Sequence, residues 1–379
     1  MKKAISNVSV ALLVMCCASP AHAQDGVVAR TNIETALAGR GYWTPERLKA
    51  ARPLPMPRAP LGTAHAAPAS RFAGVPLVSP GAPPTEATPV EAQRLFTPDA
   101  KPAVKPGAAA LKPGAAGNLG AHFTSTRVFP MFSEPAADYS ADRAYPYRAV
   151  GKLFFSANGE PFTCSASVIE RRVVVTAGHC VHSGSPGGFY QDFLFVPAYR
   201  DGEAPFRAWK WRNLVVTAAW SEGGGVVPSA ADYAMIGFAD QSVQPGAPVS
   251  KLGNVTGWLS WQTGSLYPNH TSKLGYPCNL DDCEKMQDVT SNSFRVAEGN
   301  NVEAGSDARE GSSGGPWVQN FAQVPVGGNT GVNNAVNAVV GVTSYIYNDE
   351  AEKLQGSSIP DNRWLQLWKT ICAPSGNCN

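Results

Sequence analysis

Charge is scarce in this chain of 379 residues. Asp, Glu, Lys and Arg make up 16% of it, and the 31 basic and 29 acidic side chains nearly cancel at a formal +2, where an average soluble protein is about 25% charged. No basic excess is available to grip nucleic acid, and no polybasic patch to hold an anionic membrane. Long apolar runs are also missing: past the first 23 residues nothing approaches the ~18 consecutive apolar residues of a membrane span. The 37 Gly and 32 Pro follow no G-X-Y period, which excludes a collagen-like chain. The 8 Cys include no two close CxxC pairs and no His partner at zinc-ligand distance, so neither a metal site nor a cofactor is expected.

What is present starts with an export signal. Lys2 and Lys3 precede an apolar run from Val8 to about Cys17, and Ala21-His22-Ala23 offers the small residues a signal peptidase accepts, so residues 1–23 read as a signal peptide. A lipoprotein anchored through Cys16 or Cys17 is the weaker reading, because Met15 and Cys16 suit that cleavage poorly. The mature protein is expected to be secreted, extracellular or periplasmic, free of the membrane and monomeric. Six cysteines then remain: Cys164, Cys180, Cys278, Cys283, Cys372 and Cys378. An even count in an oxidising compartment reads as three disulfides. Of the 15 possible pairings, proximity favours 164 with 180, 278 with 283 and 372 with 378.

Residues 24–125 read as a Pro/Ala-rich pro-segment or linker, largely disordered. Arg52 to Pro113 holds 14 of the 32 prolines and ends in a near-repeat, Lys105-Pro-Gly-Ala-Ala and Lys112-Pro-Gly-Ala-Ala; it has too few large apolar residues to offset the entropy of ordering it. Thr31 with Glu34 fits a capping box and Gly39 a helix stop, while Thr44-Pro45 fits a second helix start. Residues 126–379 form the remaining domain. From about Tyr139 short runs rich in Val, Ile, Phe and Tyr alternate with Gly, Pro, Asn and Asp, the pattern of an all-β sandwich or barrel. One 3.6-period segment follows Asp361, with Trp364, Leu367 or Trp368, and Ile371 on one face.

Three segments carry candidate chemistry. His179 closes an apolar strand in Thr176-Ala-Gly-His-Cys180, Asp232 stands at the mouth of another before Tyr233-Ala-Met-Ile236, and Ser313 lies among glycines in Glu310-Gly-Ser-Ser-Gly-Gly-Pro316. A hydroxyl nucleophile needs a base, and the base needs a carboxylate to hold its tautomer. Singly, each segment has a plainer reading, as a strand-end histidine, a solvated aspartate or a turn. His182 and His270 lack partners at motif spacing and read as surface residues. Asp281 and Asp282 read as a solvated turn rather than a calcium site.

Taken together, Thr176-Ala-Gly-His-Cys180 and Gly311-Ser-Ser-Gly-Gly-Pro316 resemble the histidine and serine motifs of trypsin-like, chymotrypsin-fold serine proteases. The chain order His, Asp, Ser matches that family too. Val150-Gly-Lys-Leu-Phe-Phe155, Cys164-Ser-Ala-Ser-Val-Ile169 and Leu274-Gly-Tyr-Pro277 resemble its secreted bacterial, glutamyl-endopeptidase-like branch. The resemblance, over roughly residues 140 to 379, implies a double β-barrel with a C-terminal helix. It implies a serine endopeptidase acting on a protein or peptide, with Ser313 as nucleophile, His179 as base, Asp232 orienting it, and the N–H groups of Gly311 and Ser313 as oxyanion hole. It also implies the Cys164–Cys180 bridge, a hydrogen bond from Ser344 to the aspartate, and Tyr345 lining the substrate cleft.

The chain departs from the family pattern in four places. Ser312 replaces an aspartate that pairs with a newly freed α-amino group in many animal members, so the pro-segment is expected to block the site or assist folding instead. Asp307 stands where Arg/Lys-preferring members have a pocket-base aspartate, which suggests that preference. Ile346 stands where an open pocket has glycine, and Thr343 replaces the histidine of Glu-specific members; uncharged or Glu specificity are the alternatives. Other possible functions are an inactive binding or adhesion module on the same fold, and an esterase.

Overall fold

The stretch Val173–Thr176 holds three consecutive valines, whose branched β-carbons favour extended backbone, and all four residues are buried. Strands of this kind build the first half of the molecule. In a computed structural model that describes residues 26–32, 41–60, 75–86, 91–99, 121–128, 140–322, 334–373 and 376–379, six of them close into a barrel. They are β1 (Val150–Ala157), β2 (Glu160–Glu170), β3 (Val173–Thr176), β4 (Gln191–Pro197), β5 (Trp209–Thr217) and β6 (Ala234–Phe238). The path runs β5-β4-β1-β2-β3-β6, and β6 pairs back onto β5. Asn158-Gly159, both at positive φ (53° and 83°), turn β1 into β2, as a two-residue hairpin demands. The barrel is filled by rings such as Phe155 stacked on Phe193 with centroids 5.7 Å apart; such pairs add ~0.5–1.5 kcal/mol beyond the area they bury.

The second half contains β7 (His270–Gly275), β8 (Gln287–Ala297), β9 (Asn301–Gly305), β10 (Pro316–Gln319), β11 (Ala338–Val342), β12 (Tyr345–Tyr347) and β13 (Leu354–Ser358). Their order is β12-β13-β9-β8-β7-β10-β11. Only Thr343 and Ser344 separate β11 from β12, so the two ends of this path meet and the sheet curls back on itself. The Ser344 N–H donates to the Gly356 carbonyl at 2.8 Å across the corner. The helix Asn362–Cys372 is capped by Asp361, buries Trp364, Leu367 and Ile371, and packs on β5 and β6 of the first barrel. The expected all-β double barrel with a C-terminal helix is therefore the observed architecture. Among the described residues no helix is long and apolar enough to cross a membrane.

Within and just beyond the expected pro-segment 24–125, several described stretches are docked rather than loose. They are extended but paired to the barrels: Val27–Thr31 lies along β5, Arg52–Pro53 along β2, Arg58–Ala59 along β12 and Thr124–Arg127 along β8. The expected helix at Thr44-Pro45 is Pro45–Ala50, with Thr44 Oγ1 accepting from the Arg47 N–H. The signal segment 1–23, Glu34 and Gly39 of the first expected helix, and the near-repeat from Lys105 lie outside the described residues. Disulfides join Cys164 to Cys180, Cys278 to Cys283 and Cys372 to Cys378.

Candidate active site

His179 stands in the single turn Gly178–Cys180 directly beyond β3, and Asp232 two residues ahead of β6. The register Ala234↔Thr176 makes these strands neighbours, so the ladder that builds the barrel also brings the two side chains together. Nδ1 of His179 lies 2.8 Å from Oδ2 of Asp232, and the His179 backbone N–H donates to Oδ1 at 2.8 Å. The Ser344 hydroxyl, from the corner of the second sheet, donates to Oδ2 at 2.5 Å. Three donors thus meet a carboxylate that is fully buried, the arrangement a buried acid requires. Gly178 is required for close approach, since a Cβ there would lie 2.9 Å from the Trp220 ring and 3.1 Å from Asp232 Oδ1.

An imidazole that gives its Nδ1 proton to a carboxylate keeps the Nε2 lone pair free. Nε2 of His179 and Oγ of Ser313 are both buried without a hydrogen-bond partner, a state that costs free energy and is uncommon outside functional sites. The loop carrying Ser313 is fixed through its backbone. Ser165 N–H donates to the Ser313 carbonyl at 2.7 Å, and Ser165 Oγ donates to the Gly311 carbonyl at 2.8 Å. Gly311 and Gly314 hold φ of 95° and 74°, and a Cβ on Gly314 would meet Thr176 Oγ1 at 2.0 Å. The serine loop therefore rests on the strand that ends at His179. Among the described residues no acceptor takes the N–H groups of Gly311 and Ser313, which leaves them available to an anion.

Several expected roles change. Asp307 is not a buried pocket base: it is part-exposed, its carboxylate accepts from Ser125 and its carbonyl from Asn279, because Thr124–Arg127 docks beside it. Nearby, a small cavity of about 10 Å³, room for about one water, is lined by Lys273, Gln287, Ala308, Ser312, Thr343 and Gln355 among others. Burial pushes the Lys273 ammonium down to about 7, against a smaller upward pull from Asp288. Tyr345 does not line a cleft with its ring; it is wholly buried, packs on Gly356 and donates to Glu303 at 2.8 Å. Ile346 is buried as well, and the Trp317 indole N–H occupies Thr343 Oγ1 at 2.9 Å.

His182 is buried rather than on the surface, with Nδ1 accepting from Gly184 N–H at 3.0 Å and the ring edge-on to Phe189. His270 is exposed as expected and pairs with Asn292. Asp281 is held by Arg127 and Gln287 rather than solvated. Cys164, His179 and Cys180 bring their ligand atoms within 4.8 Å of one another, but the two sulfurs are bonded to each other and offer no thiolate. Sequence reasoning missed Ser165 and Trp220. Trp220 stands in no motif, and Ser165 lies inside Cys164-Ser-Ala-Ser-Val-Ile169 without a role implied there; only the fold shows that Ser165 supports the serine loop while Trp220 covers Gly178.

No protein-family model matches the chain. Over 205 residues it is 25% identical to a glutamyl endopeptidase of Bacillus licheniformis, covering 53% of this chain and 58% of that one. Over 218 residues it is 23% identical to an extracellular metalloprotease of Bacillus subtilis, covering 55% and 64%. The chain thus spans less than two thirds of the length of either relative. Among solved structures, a thermostable serine protease AL20 from an extremophilic microorganism superposes with a TM-score of 0.50 at 23% identity, over 60% of this chain and 98% of that one. The chain has the chymotrypsin-type double-barrel fold and is similar to trypsin-like serine proteases near the glutamyl-endopeptidase branch.

Proposed function

We propose that the chain is a secreted serine endopeptidase. The observation that carries this reading is the His179–Asp232 pair, clasped at one end and with Nε2 free at the other, close to the loop of an unpartnered Ser313 Oγ. In the proposed cycle Ser313 Oγ attacks the scissile carbonyl carbon while His179 Nε2 takes its proton. The oxyanion falls to the N–H groups of Gly311 and Ser313, a contribution worth ~10²–10³ in turnover per donor. The imidazolium, balanced by Asp232, returns the proton to the departing amine, leaving an acyl ester on Ser313. Water then attacks that ester with His179 again as base, and the acid leaves as Ser313 regains its proton.

The similarity to a protein named glutamyl endopeptidase supports the reaction class, and the signal-like start and three disulfides support export. For the residue before the scissile bond, the Asp307 carboxylate is part-exposed and taken by Ser125 of the expected pro-segment, so an Arg or Lys preference would require that contact to be released. The similarity to a glutamyl endopeptidase favours an acidic side chain there instead. Labelling with a fluorophosphonate probe tests the function: the wild type takes up label, the form freed of its N-terminal segment digests casein, and Ser313→Ala does neither. A folded wild type that stays unlabelled would identify a binding module, and ester turnover without casein digestion would identify an esterase. Digestion of a peptide library tests the preference, which fails should cleavage follow Arg or Lys.

A further inference from the structure

Residues 52–59 read Arg-Pro-Leu-Pro-Met-Pro-Arg-Ala, with proline at every second position from 53 to 57. Proline fixes φ and has no N–H to leave unsatisfied, so this segment is extended before it binds anything and loses little entropy on docking. In the structure it joins the two barrels. Arg52 and Pro53 pair with Phe162 and Thr163 of β2, and Leu54 N–H donates to the Thr163 carbonyl at 3.0 Å. Arg58 and Ala59 pair with Ile346 and Tyr347 of β12. Ile346 N–H donates to the Pro57 carbonyl at 3.1 Å and Asn348 N–H to the Ala59 carbonyl at 3.2 Å. Leu54, Met56 and Ala59 are buried, and Arg58 pairs with Glu310 at 2.6 Å.

Each anchor lies close to the candidate triad. Thr163 adjoins Cys164, which is bonded to the Cys180 next to His179. Ile346 follows two residues after Ser344, the donor to Asp232. Glu310 precedes Gly311 of the serine loop. From Leu54 to Pro57 the chain can reach no more than about 10 Å, so it crosses directly between the two edges. Both ladders are parallel to the strands they meet. Direction matters here because the triad is one-handed: His179 must hand its proton to a nitrogen on one side of the attacked carbonyl. A chain running the other way places the leaving nitrogen on the wrong side.

On the serine-endopeptidase reading, we propose that residues 52–59 are a built-in inhibitor. Parallel to β12, the segment runs opposite to a substrate that pairs antiparallel with that edge; lying across both edges, it blocks substrate and escapes cleavage, and activity requires its release. An antiparallel substrate also pairs slightly better per residue than this parallel strap, so release rather than degradation is enough. The test compares the full mature chain with Arg58→Ala, which removes only a half-exposed ion pair and leaves folding intact. Arg58→Glu, which sets a carboxylate against Glu310, and Met56→Asp/Ala59→Asp extend the series. Fluorophosphonate labelling reports on the triad, and hydrolysis of a long peptide reports on the groove.

The expected result is a rise in peptide hydrolysis through that series, from a few-fold to tenfold or more. A synthetic peptide of residues 50–60 should suppress the activated variants competitively and be recovered intact by mass spectrometry. Equal hydrolysis by all labelled forms would overturn the strap alone, as would cleavage of the synthetic peptide between residues 52 and 59. Folded variants that take up no label would overturn the endopeptidase reading and the strap with it.

Discussion

The two barrels position their candidate catalytic groups by opposite means. The first holds His179 and Asp232 by their side chains, on adjacent strands whose register sets the spacing, with every oxygen of the acid engaged. The second offers Ser313 on a loop held by main-chain contacts and glycine conformations, with the reactive oxygen touching no partner. A proton-transfer pair works when it is rigid and well bonded, while a nucleophile is more useful unencumbered. Damage to the first half should therefore follow side-chain chemistry, and damage to the second should follow backbone shape.

The sharpest way to break that contrast is Asp232→Asn. It keeps the shape but reverses the hydrogen bond to Nδ1, stabilising the wrong tautomer; turnover is expected to fall ~10⁴-fold with Tm nearly unchanged. Gly314→Ala is the counterpart in the second barrel. One methyl group, forced to positive φ against Thr176 Oγ1 and the Ser165 carbonyl, should cost about 2–4 kcal/mol in denaturant unfolding and remove activity as the loop shifts. Replacing Cys164 and Cys180 together opens a loop of separation 16 and should cost roughly 3 kcal/mol in the same measurement, with label uptake surviving in whatever fraction stays folded.

A smaller effect probes the cavity side of the second barrel. Lys273 is held near 7 in the folded chain against 10.5 when free. The unfolded chain therefore binds the extra proton between those values, and stability from this group rises with pH from about 7 to 10.5. Asp288, raised by burial to about 6 from 3.8, has the opposite slope: its share is lost as pH rises from 3.8 to 6. Lys273→Met should abolish the alkaline rise and stabilise the protein below pH 7 by on the order of 1 kcal/mol, read as Tm against pH.

Much of the framework was legible beforehand because local sequence and tertiary demand agree there. The valines of β3 have one sensible conformation, and the glycines around Ser313 are in the sequence because the loop needs positive φ and close approach. Asp361 starts the last helix on its side-chain oxygen alone. The misreadings arose where distant chain intervenes. Asp307 was placed by its spacing from Ser313, but Ser125, 182 residues away, takes its carboxylate. Tyr345 was placed by motif, but its ring turns inward to a buried Glu303 that no local pattern marks. The prolines of residues 53–57 suggested a tether because composition reports how hard a segment is to order alone, not what stands ready to pair with it.

Ser344 stands where the second sheet turns its corner, yet its hydroxyl completes the acid of the first barrel. Competence is thereby keyed to assembly. A molecule with one half still unformed lacks the third clasp on Asp232, so on the proposed reading the triad is completed only when the two barrels dock.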